Sequence, residues 1–501
     1  MGNKIPNEGA GTDSPVANRG GVGLLGLIAI VFSSMVGGGI FNIAENMASS
    51  AGLGAVVIAW LITGIGMVFL VLTFKTLSIG CPRYVEGIYQ YALEGFGKYT
   101  GFNIAWGYWL CVALGNVAFA VMLNDAFGAF FPVLLQHSWE TVIFCVGLIW
   151  LMFGIVVNGI MGASLITTVM TVLKFSAIVI IIAILVVYLR METLTSDIWV
   201  EGTPEDPRPL GGIGTQIMGT MLVTMFCFVG VEGAMMLSSY ARRHSDVGKA
   251  SVIGFYLALL IYALISILCY GVRTRVELAG MHDPSVAYVL RATCGDWAYY
   301  FVIITVILSI SSGFIAWTLL CAQTPYGAAK EKIFPAFFLR KNKNDVPVYG
   351  VGIATVFMSF FIIVVCTAPN VYMAALNLTT IMVLPVYAIS GAYLLKSSWK
   401  EGMLEGDTSK KEKIRNGVIG GMCTLYCLWC IVAGGVLLFL ASSLLYLIGF
   451  SFYYVTNRQN SLQSGVVLPL LRGKEWWQFG IIVAAAIASI VLIICGKIQL
   501  S

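Results

Sequence analysis

Stretches the length of a bilayer, with no charge in them, recur along this chain. Phe175–Leu189 and Ile481–Cys495 contain no Asp, Glu, Lys or Arg. A helix crossing the hydrocarbon core needs about 20 mostly apolar residues. Thirteen stretches meet that need: 22–47, 53–79, 100–131, 140–158, 164–189, 213–238, 251–271, 298–325, 348–367, 370–395, 416–433, 436–455 and 477–496. Gly434-Gly435 divides the region 416–455, which reads either as two spans or as one span with a re-entrant piece, so twelve or thirteen spans are expected. With 59% hydrophobic and 11% charged residues and a mean hydropathy of +0.89, no water-soluble fold could hide the apolar surface. A membrane β-barrel would show short alternating segments, and these runs are continuous. The chain reads as an all-α polytopic membrane protein.

Charge position sets orientation, because Lys and Arg collect in cytoplasmic loops. Most of the 29 basic residues fall on one side, in the N-terminal tail and the 2–3, 6–7, 8–9, 10–11 and 12–13 loops. The N-terminus is therefore expected in the cytoplasm, with 192–206 and 272–297 outside. Residues 1–20 are polar and Gly-rich and read as a disordered tail. Cys111, Cys145, Cys227, Cys321, Cys423, Cys427 and Cys430 sit in apolar runs and read as small buried hydrophobes. No His stands near them, so no metal site is expected. His137, His244 and His282 fall in loops, which removes haem ligation, and no phosphate-binding loop argues for ATP. Cofactors, metals, nucleic acid and enzymatic chemistry are not expected.

Two spans are interrupted by glycine. Span 1 holds Ser33-Ser34-Met35-Val36-Gly37-Gly38-Gly39-Ile40-Phe41, and span 6 holds Phe226-Cys227-Phe228-Val229-Gly230-Val231-Glu232-Gly233. Small residues also serve close helix packing. Yet Glu232 lies at mid-membrane depth, where an ionisable side chain is a functional candidate. If spans 1–5 and 6–10 are two halves, both breaks fall in the first span of each, and the halves have opposite topology. Matching breaks in inverted repeats point to a transporter's mid-membrane site. Unwound backbone offers N–H groups to a carboxylate and carbonyls to an ammonium, and an amino acid carries both on one carbon.

These segments resemble the amino acid–polyamine–organocation superfamily, within its basic amino acid/polyamine antiporter family. Span 3, with Trp106-Gly107-Tyr108-Trp109 and Gly115-Asn116, and the span 8 segment Trp317-Thr318-Leu319-Leu320-Cys321-Ala322-Gln323 are similar too, especially to arginine/ornithine exchangers. The resemblance covers about residues 22–495. It implies a LeuT-like 5+5 inverted repeat with two or three extra C-terminal helices: 21–190 as the first repeat, 191–396 as the second and 397–501 as peripheral helices. It also implies a substrate pocket at Met35, Gly37, Gly38, Gly39, Asn116, Phe226, Val229, Gly230 and Trp317. In that likeness Trp317 packs on the substrate side chain, Phe226 is an aromatic gate, Tyr108 belongs to an outer gate, and Glu232 is linked to proton-sensitive gating. Lys174, inside span 5, resembles a lysine that replaces the sodium ion of sodium-coupled relatives. Glu45 and Asp125 lie toward the outer ends of their spans, where they either draw cations inward or are solvated helix ends.

The expected function is exchange of a basic amino acid, such as arginine, ornithine, lysine or histidine, for a related amino acid or its decarboxylated amine. The setting would be the bacterial cytoplasmic membrane, surrounded by lipid, as a monomer or homodimer. A proton-coupled amino-acid symporter on the same fold is the alternative.

Overall fold

Each of the thirteen apolar stretches contains helix in the computed structural model, which describes residues 22–81, 84, 87–136, 138–200, 210–236, 241–243, 245–365, 371–400, 404 and 409–495. At 160–164, 364–365 and 371–372 the backbone alone is described. The expected tail over 1–20, His137, His244 and residues 201–206 of the acidic stretch lie outside the described residues. In chain order the helices are α1 (Leu24–Met35), α2 (Gly39–Ala48), α3 (Leu53–Gly80), α4 (Tyr89–Phe96), α5 (Lys98–Gly128), α6 (Trp139–Val157), α7 (Ile160–Val187), α8 (Met191–Thr195), α9 (Ile213–Phe226), α10 (Gly233–Met236), α11 (Ser245–Val272), α12 (Arg275–Ala279), α13 (Ser285–Cys294), α14 (Asp296–Lys330), α15 (Val348–Val365), α16 (Val371–Trp399), α17 (Lys410–Ala433), α18 (Val436–Ser464) and α19 (Glu475–Ile494). Eleven of the stretches are long and apolar enough to cross a bilayer as they stand; α9 and α15 are shorter apolar helices. α9 is short because the span 6 break interrupts it.

The region 416–455 resolves into two helices. α17 stops at Ala433 and α18 starts at Val436, with Gly435 between them at φ +100°. That backbone region disfavours any side chain, so the Gly-Gly pair sets the division.

Burial runs against hydropathy. α5 is the central helix, 89% buried in its most apolar window at a mean hydropathy of 1.7, whereas α19 reaches 2.4 with 11% buried. Lipid is as apolar as a protein interior, so the most hydrophobic helices need no protein around them, and polar groups gather in the centre. α5 packs against α14 and α16, α3 against α11, and α16 also against α17. α18 and α19 pack on each other at the margin.

The two broken helices stand side by side. α1 contacts α10 and α2 contacts α9, so the paired halves run antiparallel. A parallel bridge between Val22 and Ala241, with Arg242 N donating to Val22 O at 2.9 Å, fastens their far ends together.

Candidate substrate site

The last carbonyls of a helix lack intrahelical donors and must find partners elsewhere. At the end of α1 each such carbonyl from Ser33 to Gly37 receives a side chain. Lys174 Nζ, from α7, donates to Val36 O at 2.6 Å and lies 3.4 Å from Ser33 O. It also bonds Ser33 Oγ at 3.1 Å and Ser312 Oγ at 3.0 Å. Trp317 Nε1 donates to Ser34 O at 3.0 Å. Tyr262 OH donates to Met35 O at 2.9 Å. Ser309 Oγ donates to Gly37 O at 2.8 Å. Lys174 is fully buried, so its charge rests on the negative end of the α1 dipole and on these oxygens.

Ser34 joins the two breaks. Its hydroxyl donates to Gly230 O at 2.8 Å while its carbonyl holds Trp317. Gly230 has φ +107°, and a Cβ there would stand 2.7 Å from Ser34 O. Glycine is therefore required for the approach as well as for the turn.

Glu232 sits at the far end of the second break, 1% exposed. Tyr108 OH donates to Oε1 at 2.9 Å, Tyr387 OH donates to Oε2, and Gly230 N donates to Oε2 at 3.1 Å. The tyrosines come from α5 and α16, so this carboxyl ties both helices to the break. Tyr108 was expected in an outer gate; the structure places it elsewhere. On α5 the ring of Phe119 lies against Gly37, and Tyr108 is eleven residues, about 16 Å, nearer the Lys98 end. It lies toward the side from which the basic loops emerge.

The space over the glycines is filled. A Cβ on Gly37 would meet Phe119 Cε1 at 2.8 Å, one on Gly38 would overlap the Met122 thioether, and one on Gly39 would touch the Phe226 ring at 3.4 Å. Phe119 meets Trp317 edge-on at 5.3 Å between centroids, and the indole lies against Gly115. Asn116 is fully buried; its Nδ2 is 3.6 Å from Cys321 Sγ and its Oδ1 has no partner among the described residues. The structure thus brings Met35, Gly37, Gly38, Gly39, Phe226, Gly230, Trp317 and Lys174 around one junction. Val229, 1% exposed, lies in the second break, and Asn116 and Phe119 border the junction from α5. Tyr262, Ser309, Ser312, Phe119, Met122 and Tyr387 belong to the same site and escaped the sequence reading. The serines alone left a signal, as small polar residues inside an apolar helix.

Residues 22–434 match the family model described as "Amino acid permease". The chain belongs to this family. Within it, the chain is 37% identical over 490 residues to an arginine/agmatine antiporter of Chlamydia caviae, covering 96% of this chain and 99% of that protein. It is 37% identical over 470 residues to an arginine/ornithine antiporter of Pseudomonas aeruginosa, covering 92% and 95%. A putative amino-acid transporter of Clostridium perfringens is 36% identical over 446 residues, covering 88% and 92%. As a family member the chain is a multi-pass membrane protein of the transporter class, and both broken helices lie within the matched residues.

Proposed function

We propose that the protein exchanges a cationic amino acid for a related amino acid or its decarboxylated amine, by alternating access around the α1–α2 and α9–α10 breaks. The relatives named as arginine/agmatine and arginine/ornithine antiporters support the substrate class. The observation that carries the mechanism is the junction at Ser34, where two broken helices of opposite direction are bonded at mid-bundle. Spans 1–5 (21–190) and 6–10 (191–396) act as inverted halves, and 397–501 adds peripheral helices. The N-terminus lies in the cytoplasm of a bacterial cell, by the placement of basic loops.

The α-carboxylate of the substrate meets the free N–H groups at the start of α2, where the helix dipole is positive. The carbonyls at the end of α1 already have donors, so the α-ammonium goes to those of the 227–232 turn. Phe226, Phe119 and Met122 stand aside when substrate enters, and the Tyr108–Glu232–Tyr387 cluster closes the cytoplasmic path. Purified protein in liposomes loaded with unlabelled arginine should accumulate labelled arginine, and cold ornithine or agmatine should compete. Labelled arginine that enters equally well without internal substrate, driven by an inward proton gradient, would favour symport instead.

Trp317 presents its ring beside this junction. A cationic side chain over an indole gains roughly 1–2 kcal/mol, and Trp317→Leu should weaken arginine binding by the corresponding five- to thirtyfold. Calorimetry on folded protein measures this, and unchanged affinity would assign the indole to packing and to Ser34 alone.

A further inference from the structure

Three carboxylates converge at the end of the bundle opposite the basic loops. Glu45 lies on α2, two turns past Gly39; Asp125 lies on α5, three residues past Met122; Asp283 lies in the α12–α13 connection. Ser285 sews that connection onto α2: its hydroxyl donates to Phe41 O at 3.2 Å and accepts Glu45 N at 3.2 Å. All three acids are half-buried. Beneath them is Asn42, only 2% exposed. Its side chain lies beside the Asp283 carboxyl, and Asn42 Oδ1 and Asp283 Oδ1 are both buried without a hydrogen-bond partner among the described residues.

Basic side chains of this region make contacts of their own. Arg275 donates to Ala48 O at 3.1 Å and faces Asp197 at 3.9 Å, and the His282 ring lies against Tyr288. Burial and the charges of Glu45 and Asp125 hold the Asp283 carboxyl well above the usual carboxylate range. An arriving cation relieves that repulsion and supplies the missing donors. A guanidinium, with five N–H donors in a flat fork, suits several converging oxygens, and an ammonium supplies three. Asn42 is three residues, about 4.5 Å along the axis and just under one turn, from Gly39, so a group held here is poised over the substrate junction.

We propose that Glu45, Asp125 and Asp283, with the Asn42 carbonyl as floor, form an outer waiting site for the guanidinium or ammonium group of the incoming substrate. This rests on the reading of a cationic substrate entering from the side opposite the basic loops. The site raises the local concentration of cations at the mouth and delivers them to the breaks just under one helical turn below.

The test compares wild type with Glu45→Gln/Asp283→Asn in arginine-loaded liposomes. The half-saturating external arginine should rise about five- to tenfold in the variant, while the rate at saturating arginine stays within about twofold. Competition by citrulline, whose side chain is of similar length but uncharged, should be unchanged. An unaltered half-saturation in folded variant protein would overturn the proposal, as would equal weakening for citrulline. If the double variant does not fold, Asp125→Asn carries the same comparison. A wild type without arginine counterflow would overturn the substrate reading instead. The site is then read alone in detergent: 10 mM methylguanidinium (a probe concentration of about this order suits weak binding) should raise the unfolding midpoint of wild type but not of the variant. Equal response of both proteins would remove the site.

Discussion

Lys174→Met should abolish exchange while the protein still inserts in the membrane. The ammonium is the shared partner of Val36 O, Ser33 O, Ser33 Oγ and Ser312 Oγ in a dry interior. Met is unbranched and only one heavy atom shorter, and it supplies no donor. Each buried acceptor left unpaired costs about 1–3 kcal/mol. The end of α1 would then draw in water or move toward α14, and either displaces the Ser34–Gly230 bond on which the junction depends. A drop of at least about a hundredfold in counterflow is expected, equivalent to about 2.7 kcal/mol in barrier. Because the ammonium supplies the positive charge at this helix end, replacing sodium by choline should leave wild-type exchange unchanged. Counterflow by Lys174→Met at near wild-type rate, or uptake by wild type that stops in choline, would show that the charge belongs to packing alone.

Gly230→Ala should be nearly as damaging for a different reason. At φ +107° an L side chain is strained, by about 1–3 kcal/mol at such positions. The new methyl also meets a backbone oxygen, Ser34 O, which cannot retreat without loosening the Trp317 indole. A lowered unfolding midpoint and loss of most arginine exchange are expected. Gly421→Ala on α17 is the control, since a Cβ there meets nothing within 4 Å. Ala is the better helix former by about 1 kcal/mol, so that variant should be at least as stable as wild type. Equal behaviour of the two variants would mean that the Gly230 turn has no special status.

How much of this was legible in the sequence depends on which physical signal each residue carries. The two breaks were, because glycine triplets and an acid are costly inside a spanning helix unless the helix opens. Lys174 was, because a charge at that depth needs a polar partner, and the structure places its ammonium against the Ser33 and Val36 carbonyls and the Ser33 and Ser312 hydroxyls. Gly434-Gly435 marked a boundary whose meaning needed the backbone turn at Gly435. Tyr387 and Tyr262 were not legible. Each is one tyrosine among 22, in an apolar helix, and nothing local tells which ring reaches a carboxyl or a freed carbonyl across the bundle. That depends on the register between helices far apart in sequence. Met122 and Phe119 were hidden for the same reason: helical periodicity gives a face, and the facing helix is chosen by the fold. Tyr108 was found, but its side of the junction was misread, because motif likeness carries no depth, whereas counting rise along α5 does.

The side chains lying over Gly37, Gly38 and Gly39 have a kinetic consequence. If the amino acid binds over the breaks as proposed, its place is taken by Phe119, Met122 and Phe226, and entry requires these to rotate away. Its apparent affinity is its intrinsic affinity multiplied by the fraction of time the rings stand aside. Selection among substrates then acts twice. One step is how well each fits the emptied pocket; the other is how well each keeps three hydrophobic side chains from falling back. A small amino acid leaves room for them to return and expel it, whereas a long one holds them apart for the whole crossing.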